Sequence, residues 1–242
     1  YMMGDVKAAN FAGDYISLPH KGSWGGMEVD SPHTTIFCRT STEASVTGSD
    51  RSTLMLARFA LNHSIRAVRR TADLDADNKE WKNTDDALFL GSESPIEATL
   101  RCSQDEQNIY FLVEVQDDNL STSDYVTIML SPELENDRLG SKARRIKVGI
   151  NGLKNTDQYS GGWLSKEMGV SVKSAYDGTP GNNTDKDNGY MVEIAVPRSS
   201  VEIKDGRLLM NFALFDMAGS FEDAVSGTAA TDTRKWIAIK NL

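Results

Sequence analysis

Several absences narrow what this chain can do. It has no uninterrupted run of about 18 apolar residues, the length a membrane-spanning helix needs, so no membrane span is expected. Cysteine and histidine are too few and too scattered for a zinc cluster: two cysteines, Cys38 and Cys102, and three histidines, His20, His33 and His63. No glycine-rich phosphate loop and no dinucleotide fingerprint occurs, which removes the common nucleotide enzymes. Basic residues are outnumbered, 26 against 35 acidic, for a formal net charge of -9. That balance excludes a nucleic-acid backbone as the main partner, because phosphate binding needs clustered Lys and Arg. The two small basic groups, Arg66, Arg69 and Arg70, then Lys142, Arg144, Arg145 and Lys147, read as solvated strand or turn faces. Long amphipathic helical patterns, internal repeats and low-complexity tracts are also missing.

What is present is strand. Ile96–Cys102, Tyr125–Leu130 and Ile146–Ile150 alternate apolar and polar residues, a period of two that puts one side of each strand on a core. Thr34–Arg39 is β-branched and aromatic, and Leu54–Leu61 lies between turn residues. Gln104–Asn108 separates two strands as a hairpin loop. The longest polar stretch, Asp177–Gly189, holds little that can be buried and reads as a mobile loop. Many short strands with turns between them predict an all-β fold, a two-sheet antiparallel sandwich with an N-terminal β extension. The pattern changes near Ser64. Residues 1–63 are therefore the extension, expected to pack on the sandwich, and residues 64–242 are the sandwich itself. The two cysteines read as small apolar core residues with free thiols, the alternative being a Cys38–Cys102 pair in an oxidising compartment. The chain begins at Tyr1 with no methionine before it, so a processed chain is expected, with room for an export signal removed upstream.

Three motifs carry a resemblance. Leu74-Asp75-Ala76-Asp77 is followed by Trp81; Ile109-Tyr110 lies on a strand ending at Asp117, with Asp124 opening the next; and Gly189-Tyr190, Glu193 and Pro197 share a later strand, after which come Asn211 and Asp216. In order and spacing the segment from about Ile65 to Leu242 resembles the family 9 carbohydrate-binding modules and the wider DOMON-like β-sandwiches. The resemblance implies a β-sandwich that grips a sugar ring between two Trp faces, with planar polar side chains at the rim. The expected clamp positions hold no Trp here: one neighbourhood is Leu120-Ser121-Thr122-Ser123, the other Thr228-Ala229-Ala230. Thr127 stands where a carboxylate is expected and Ala213 where an amide is expected, while Lys147 keeps the basic position. Haem-binding relatives use axial Met or His ligands, but all three histidines precede the resembling segment, and no cofactor is expected.

The candidate binding residues are aromatic or basic. Trp163 and Tyr159 share the glycine-rich stretch Tyr159-Ser160-Gly161-Gly162-Trp163, where glycines let a ligand approach the backbone. Trp24 sits in a similar stretch, Gly22–Gly26, and Lys147 completes the set. Trp81 and Trp236 read as core, Trp236 inside a last strand spanning Lys235–Ile239. Asp117, Asp118 and Asp124 offer the hard oxygens Ca²⁺ takes, but three carboxylates at one strand end read as a solvated acidic turn, so no metal is expected. Asp30, Ser31 and His33 have the residue types of a hydrolase triad, yet near neighbours on an extended chain point apart, and no catalytic set is expected. The expected function is a non-catalytic carbohydrate-binding or accessory module of a secreted, periplasmic or cell-surface carbohydrate-processing system, with a saccharide as partner. The alternatives are a structural or protein-interaction sandwich that has lost the sugar site, and part of a glycoside hydrolase.

Overall fold

The computed structural model of the chain describes residues 34–40, 53–59, 64–81, 86–90, 96–132, 138–182, 184–217, 221–224 and 236–242. Trp24 and the trio Asp30, Ser31 and His33 lie outside them, as do the expected clamp positions at 228–230. The chain divides into two compact units, residues 1–61 and 62–242. In the first, β1 (Thr34–Thr40) and β2 (Thr53–Phe59) pair antiparallel, Thr34 opposite Phe59 and Thr40 opposite Thr53.

The second unit is a two-sheet sandwich. Its strands in chain order are β3 (Ser64–Arg66), β4 (Val68–Arg69), β5 (Leu88–Leu90), β6 (Glu97–Gln104), β7 (Asn108–Gln116), β8 (Tyr125–Ser131), β9 (Arg144–Gly149), β10 (Lys154–Tyr159), β11 (Trp163–Ser165), β12 (Ser171–Asp177), β13 (Gly189–Pro197), β14 (Arg207–Asp216), β15 (Phe221–Ala224) and β16 (Ile237–Lys240). The larger sheet runs β11-β10-β9-β8-β14-β16-β3, with β15 also on β14; the smaller runs β12-β13-β7-β6-β4, with β5 also on β6. Among the described residues, pairing is antiparallel except at two joins, β3 with β16 and β4 with β6, which are parallel. Trp236 stands just before the last strand rather than inside it.

Alternation builds the core. Ile109, Phe111, Val113 and Val115 of β7 meet Val126, Ile128 and Leu130 of β8 and Met210, Phe212 and Leu214 of β14 between the sheets, all buried. Removing each such side chain from water contributes about 1.5–3 kcal/mol. Cys102 is in this core with a free thiol, and burial pushes that thiol far above its ordinary range.

β7 is also buried on its other side, where simple alternation would leave water. Residues 71–81 fold across the outer face of the smaller sheet, so that Ala72 and Trp81 pack on Tyr110, Leu112 and Ala195. Glu193 pins this cover. Its Oε1 accepts from Trp81 Nε1 at 2.9 Å, and its Oε2 accepts from the backbone N–H groups of Asp75 (2.8 Å) and Ala76 (2.7 Å). The sequence motifs around Asp75, Trp81 and Glu193 are thus one structural device. Burial raises the Glu193 carboxyl; the bond from Trp81 and the two backbone bonds work the other way. Glu193→Gln keeps the shape but sets an NH₂ against at least one donor. A loss of about 1–3 kcal/mol, the usual cost of one orphaned buried polar group, is expected from the urea midpoint.

Asp177–Gly189 is less free than a polar stretch suggests. Asp187, 1% exposed, accepts from the backbone N–H groups of Leu120 (2.7 Å) and Thr179 (2.8 Å), which ties the loop to the turn after β7. The expectation of a mobile loop is corrected to that extent: one buried carboxylate anchors it.

Candidate functional site on the outer face of the larger sheet

Because Val126, Ile128 and Leu130 enter the core, Tyr125, Thr127 and Met129 of β8 face outward. By the same alternation Arg145 and Lys147 of β9, and Leu209, Asn211, Ala213 and Phe215 of β14, share that face. Register then orders them. Arg145 lies opposite Met129 on one side and Asp157 on the other; Lys147 lies opposite Thr127 and Asn155; Thr127 lies opposite Ala213, and Tyr125 opposite Phe215.

The middle of the face is closed. Met129, Ala213 and Trp236 form a small apolar cluster, with Trp236 only 8% exposed, and Thr127 is buried beside them. The core assignment of Trp236 therefore holds on the outer face rather than between the sheets. Tyr125 stacks on Phe215 with ring centres 4.6 Å apart and planes at 14°, while the Lys147 ammonium lies 3.3 Å from the centre of the Tyr125 ring. Such a cation–ring contact contributes about 0.5–1 kcal/mol where it is exposed.

Aromatic surface continues at the edge of the sheet. Tyr159 and Trp163 do not sit in a loop, as the glycines suggested: they face each other at the ends of β10 and β11. The intervening turn is tight, with Gly161 at φ 70° and Ser160 N–H donating to Gly162 O at 2.7 Å. β11 is three residues long and β10 is polar almost throughout, so neither shows an apolar period to read. Their rings meet edge to face, centres 5.4 Å apart and planes at 75°. The Arg145 guanidinium lies 4.9 Å from the Trp163 ring centre and is itself held by Asp157, Nε and Nη2 each 2.8 Å from Asp157 Oδ2. Half-buried Trp163, half-buried Tyr159 and the fixed Arg145–Asp157 pair give apolar ring surface beside planar polar groups. Lys147 belongs to the same face but to the Tyr125–Phe215 stack. Tyr125, Phe215, Arg145 and Asp157 were missed from sequence. The signal available was their outward parity next to the motif residues Asp124 and Asp216.

A second grouping lies where strands of both sheets end. Asp117 follows β7, Asp124 precedes β8 and Asp216 closes β14; they are 5%, 1% and 3% exposed, and carboxylate oxygens from the three lie within 4.8 Å of one another. The expected solvated acidic turn is corrected: Asp118 is exposed, but Asp117 and Asp124 turn inward and join a third carboxylate from far downstream. Asp124 accepts backbone N–H bonds from Ser121 (2.6 Å) and Met217 (2.9 Å), and Asp117 Oδ1 accepts one from Asn119 at 2.9 Å. Burial raises the Asp117 carboxyl to about 6; the Asn119 N–H opposes this, and the charges of Asp216, Asp124 and Asp118 add to it.

Comparison with known proteins follows the sandwich. Two structures of a carbohydrate binding module family 9 from Caldicellulosiruptor kristjanssonii, one in complex with cellotriose and one with glucose, are each similar at 17% identity and a TM-score of 0.57. Both alignments cover 73% of this chain, and they cover 92% and 94% of the respective modules. Comparison with curated proteins gives no match. At this identity the structures establish a shared fold, and residues 73–240 match the model of the carbohydrate family 9 binding domain-like family, to which this chain belongs.

Proposed function

We propose that the chain is a carbohydrate-binding module that takes a saccharide on the outer face of the larger sheet, at Trp163 and Tyr159. The observation that supports this is the edge-to-face pair of rings backed by Arg145 and Asp157. A sugar ring has apolar C–H faces that stack on an indole and hydroxyls that need fixed donors and acceptors; an ion-paired guanidinium and carboxylate supply both. The relatives' complexes with cellotriose and glucose motivate β-linked glucose units as the first ligands to try. The polar rim that the family resemblance implies around Thr127 and Ala213 is packed shut here, which moves the proposal to the sheet edge. We read the module as a non-catalytic accessory part of a secreted, periplasmic or cell-surface carbohydrate-processing system.

The test is titration calorimetry with glucose and cello-oligosaccharides, preceded by a glycan array. Trp163→Ala should weaken binding by about 1–3 kcal/mol, roughly 5- to 150-fold, by analogy with aromatic stacking on other planar ligands. Unchanged affinity in that variant removes the site from Trp163. No binding to any saccharide favours a second reading, a protein-interaction sandwich. One observation supports that reading: the Tyr125 ring is already engaged by Phe215 and by the Lys147 ammonium.

A further inference from the structure

In sequence Arg66 groups with Arg69 and Arg70, but the fold gives it other neighbours. In the parallel join of β3 with β16, Arg66 lies opposite Lys240; in the antiparallel pairing of β16 with β14, Lys240 lies opposite Arg207. Ile65, Ile239 and Leu208, each one residue away, are in the core between the sheets. All three cations therefore point out on the outer face of the larger sheet, where they are exposed. A tight turn through Asp205 and Gly206, both at positive φ, folds Lys204 back beside Arg207, with backbone bonds of 3.0 Å in each direction. Ile203 packs on the core, so exposed Lys204 points outward as well and extends the row. Like charges directly opposite one another destabilise a sheet. Among the described residues, no carboxylate lies within ion-pair distance of Arg66, Lys240 or Arg207. Nearby acids have other uses: Asp86 accepts from the Arg66 backbone N–H at 3.0 Å, and Glu202 pairs with Lys142 at 2.8 Å. A charge on an edge strand blocks pairing with another chain, which accounts for Arg66 on β3. β16 and β14 are interior strands, so that reason does not reach Lys240 and Arg207. On a chain of net charge -9, a row of cations at strand spacing calls for an anionic ligand.

We propose that the row Arg66, Lys240, Arg207 and Lys204 binds the carboxylates of an acidic polysaccharide, one with uronic acid units, lying across the strands. It rests on the reading that the outer face takes a saccharide. Leu209, two residues from Arg207 on the same side of β14, packs with Trp163 against the Trp236 cluster, so the row and the aromatic pair share one continuous face. Spacing supports the choice of ligand. Neighbouring strands are about 4.8 Å apart, so the cations repeat at close to the length of one pyranose unit in an extended chain. A polymer crossing the strands then offers a carboxylate to each cation in turn. Arg66 and Arg207 supply the planar donor pairs that match a carboxylate, and Lys240 between them supplies a point charge. The acidic balance of the rest of the chain works against the much denser charge of duplex nucleic acid.

The test is affinity electrophoresis of the full chain in native gels cast with polygalacturonate or with neutral hydroxyethylcellulose, followed by calorimetry with oligogalacturonates. Polygalacturonate should retard the protein, and the retardation should fade as NaCl rises. The double variant Lys240→Gln, Arg207→Gln should weaken that binding about tenfold or more, since two charge-assisted contacts go. Its melting temperature should hold or rise, because the like-charge opposition goes with them. Lys240→Arg should retain binding, and so should Lys173→Gln, which removes an exposed cation from β12 of the other sheet. No retardation by polygalacturonate overturns the proposal. So does binding undiminished in the double variant, or duplex DNA bound as tightly as polygalacturonate at the same ionic strength. Two outcomes separate the row from the aromatic pair. If cello-oligosaccharides bind, Trp163→Ala weakens them and polygalacturonate does not bind, only the row falls. If polygalacturonate binding is lost in the double variant but kept in Trp163→Ala, the row stands and the site at Trp163 falls.

Discussion

Trp81→Ala should lower stability by about 3–5 kcal/mol, the range for a large aromatic removed from a packed core. The indole is 1% exposed and is the centre of the cluster that seals the outer face of the smaller sheet. Three effects act together. The ring's contacts with Tyr110, Leu112 and Ala195 are lost and a cavity remains. Glu193 Oε1 loses the donor that offsets its burial. The Arg70 guanidinium, 5.2 Å from the indole centre, loses its ring. Denaturant unfolding with an unchanged slope is the measurement, because only the midpoint should move. Trp163→Ala is the internal control: a half-buried ring at a sheet edge should cost well under half as much. Equal losses at the two tryptophans would contradict the account of where the packing energy lies.

Gly189→Ala should be nearly as damaging, about 3 kcal/mol or more, although it adds a single methyl group. Gly189 opens β13 at φ 115°, a conformation L side chains rarely adopt. A methyl group there would lie 1.9 Å from the Val115 carbonyl oxygen and 2.9 Å from its carbonyl carbon. These are backbone atoms of the neighbouring strand, and no rotamer change relieves the overlap. The alanine both strains the Gly189 dihedral and forces open the Tyr190–Val115 end of the β13–β7 ladder, and the two penalties, about 1–3 kcal/mol each, add. Hydrogen exchange should locate the damage, with protection lost first at Val115 and Tyr190 while the β8–β14 ladder is retained.

The strands were legible wherever one face meets the core, because alternation over six or more residues leaves a period of two. Glu97–Gln104 and Arg144–Gly149 follow that pattern closely. β7 was legible as a strand, but its double burial was not: the residues that cover Tyr110 and Leu112 lie at 71–81, and only the order of the family motifs linked them. The site was harder. Tyr159 and Trp163 belong to strands interrupted by Ser160-Gly161-Gly162, and three glycine-rich residues between two short runs read as loop. The acidic cluster was misjudged for a different reason. Asp117 and Asp124 are close in sequence and resemble a solvated turn, while the third member, Asp216, is brought to them only by the β14–β8 pairing. Contacts between distant strands have no local signature.

The parallel join of β3 with β16 has a consequence for biosynthesis. Ile65 lies opposite Ile239, so the first strand of the sandwich borders a segment that leaves the ribosome only after the rest of the sandwich. β4, two residues on, has already entered the other sheet beside β6. An emerging chain can therefore complete the smaller sheet as far as β13 while β3 still lacks its neighbour. Closure across almost the whole sandwich is a slow kind of step, and it leaves a sticky edge exposed until β16 has emerged. A stalled ribosome releasing a chain that stops before Ile237 would yield a species with a bare strand edge, recognisable to chaperones and proteases, rather than a slightly shorter working module.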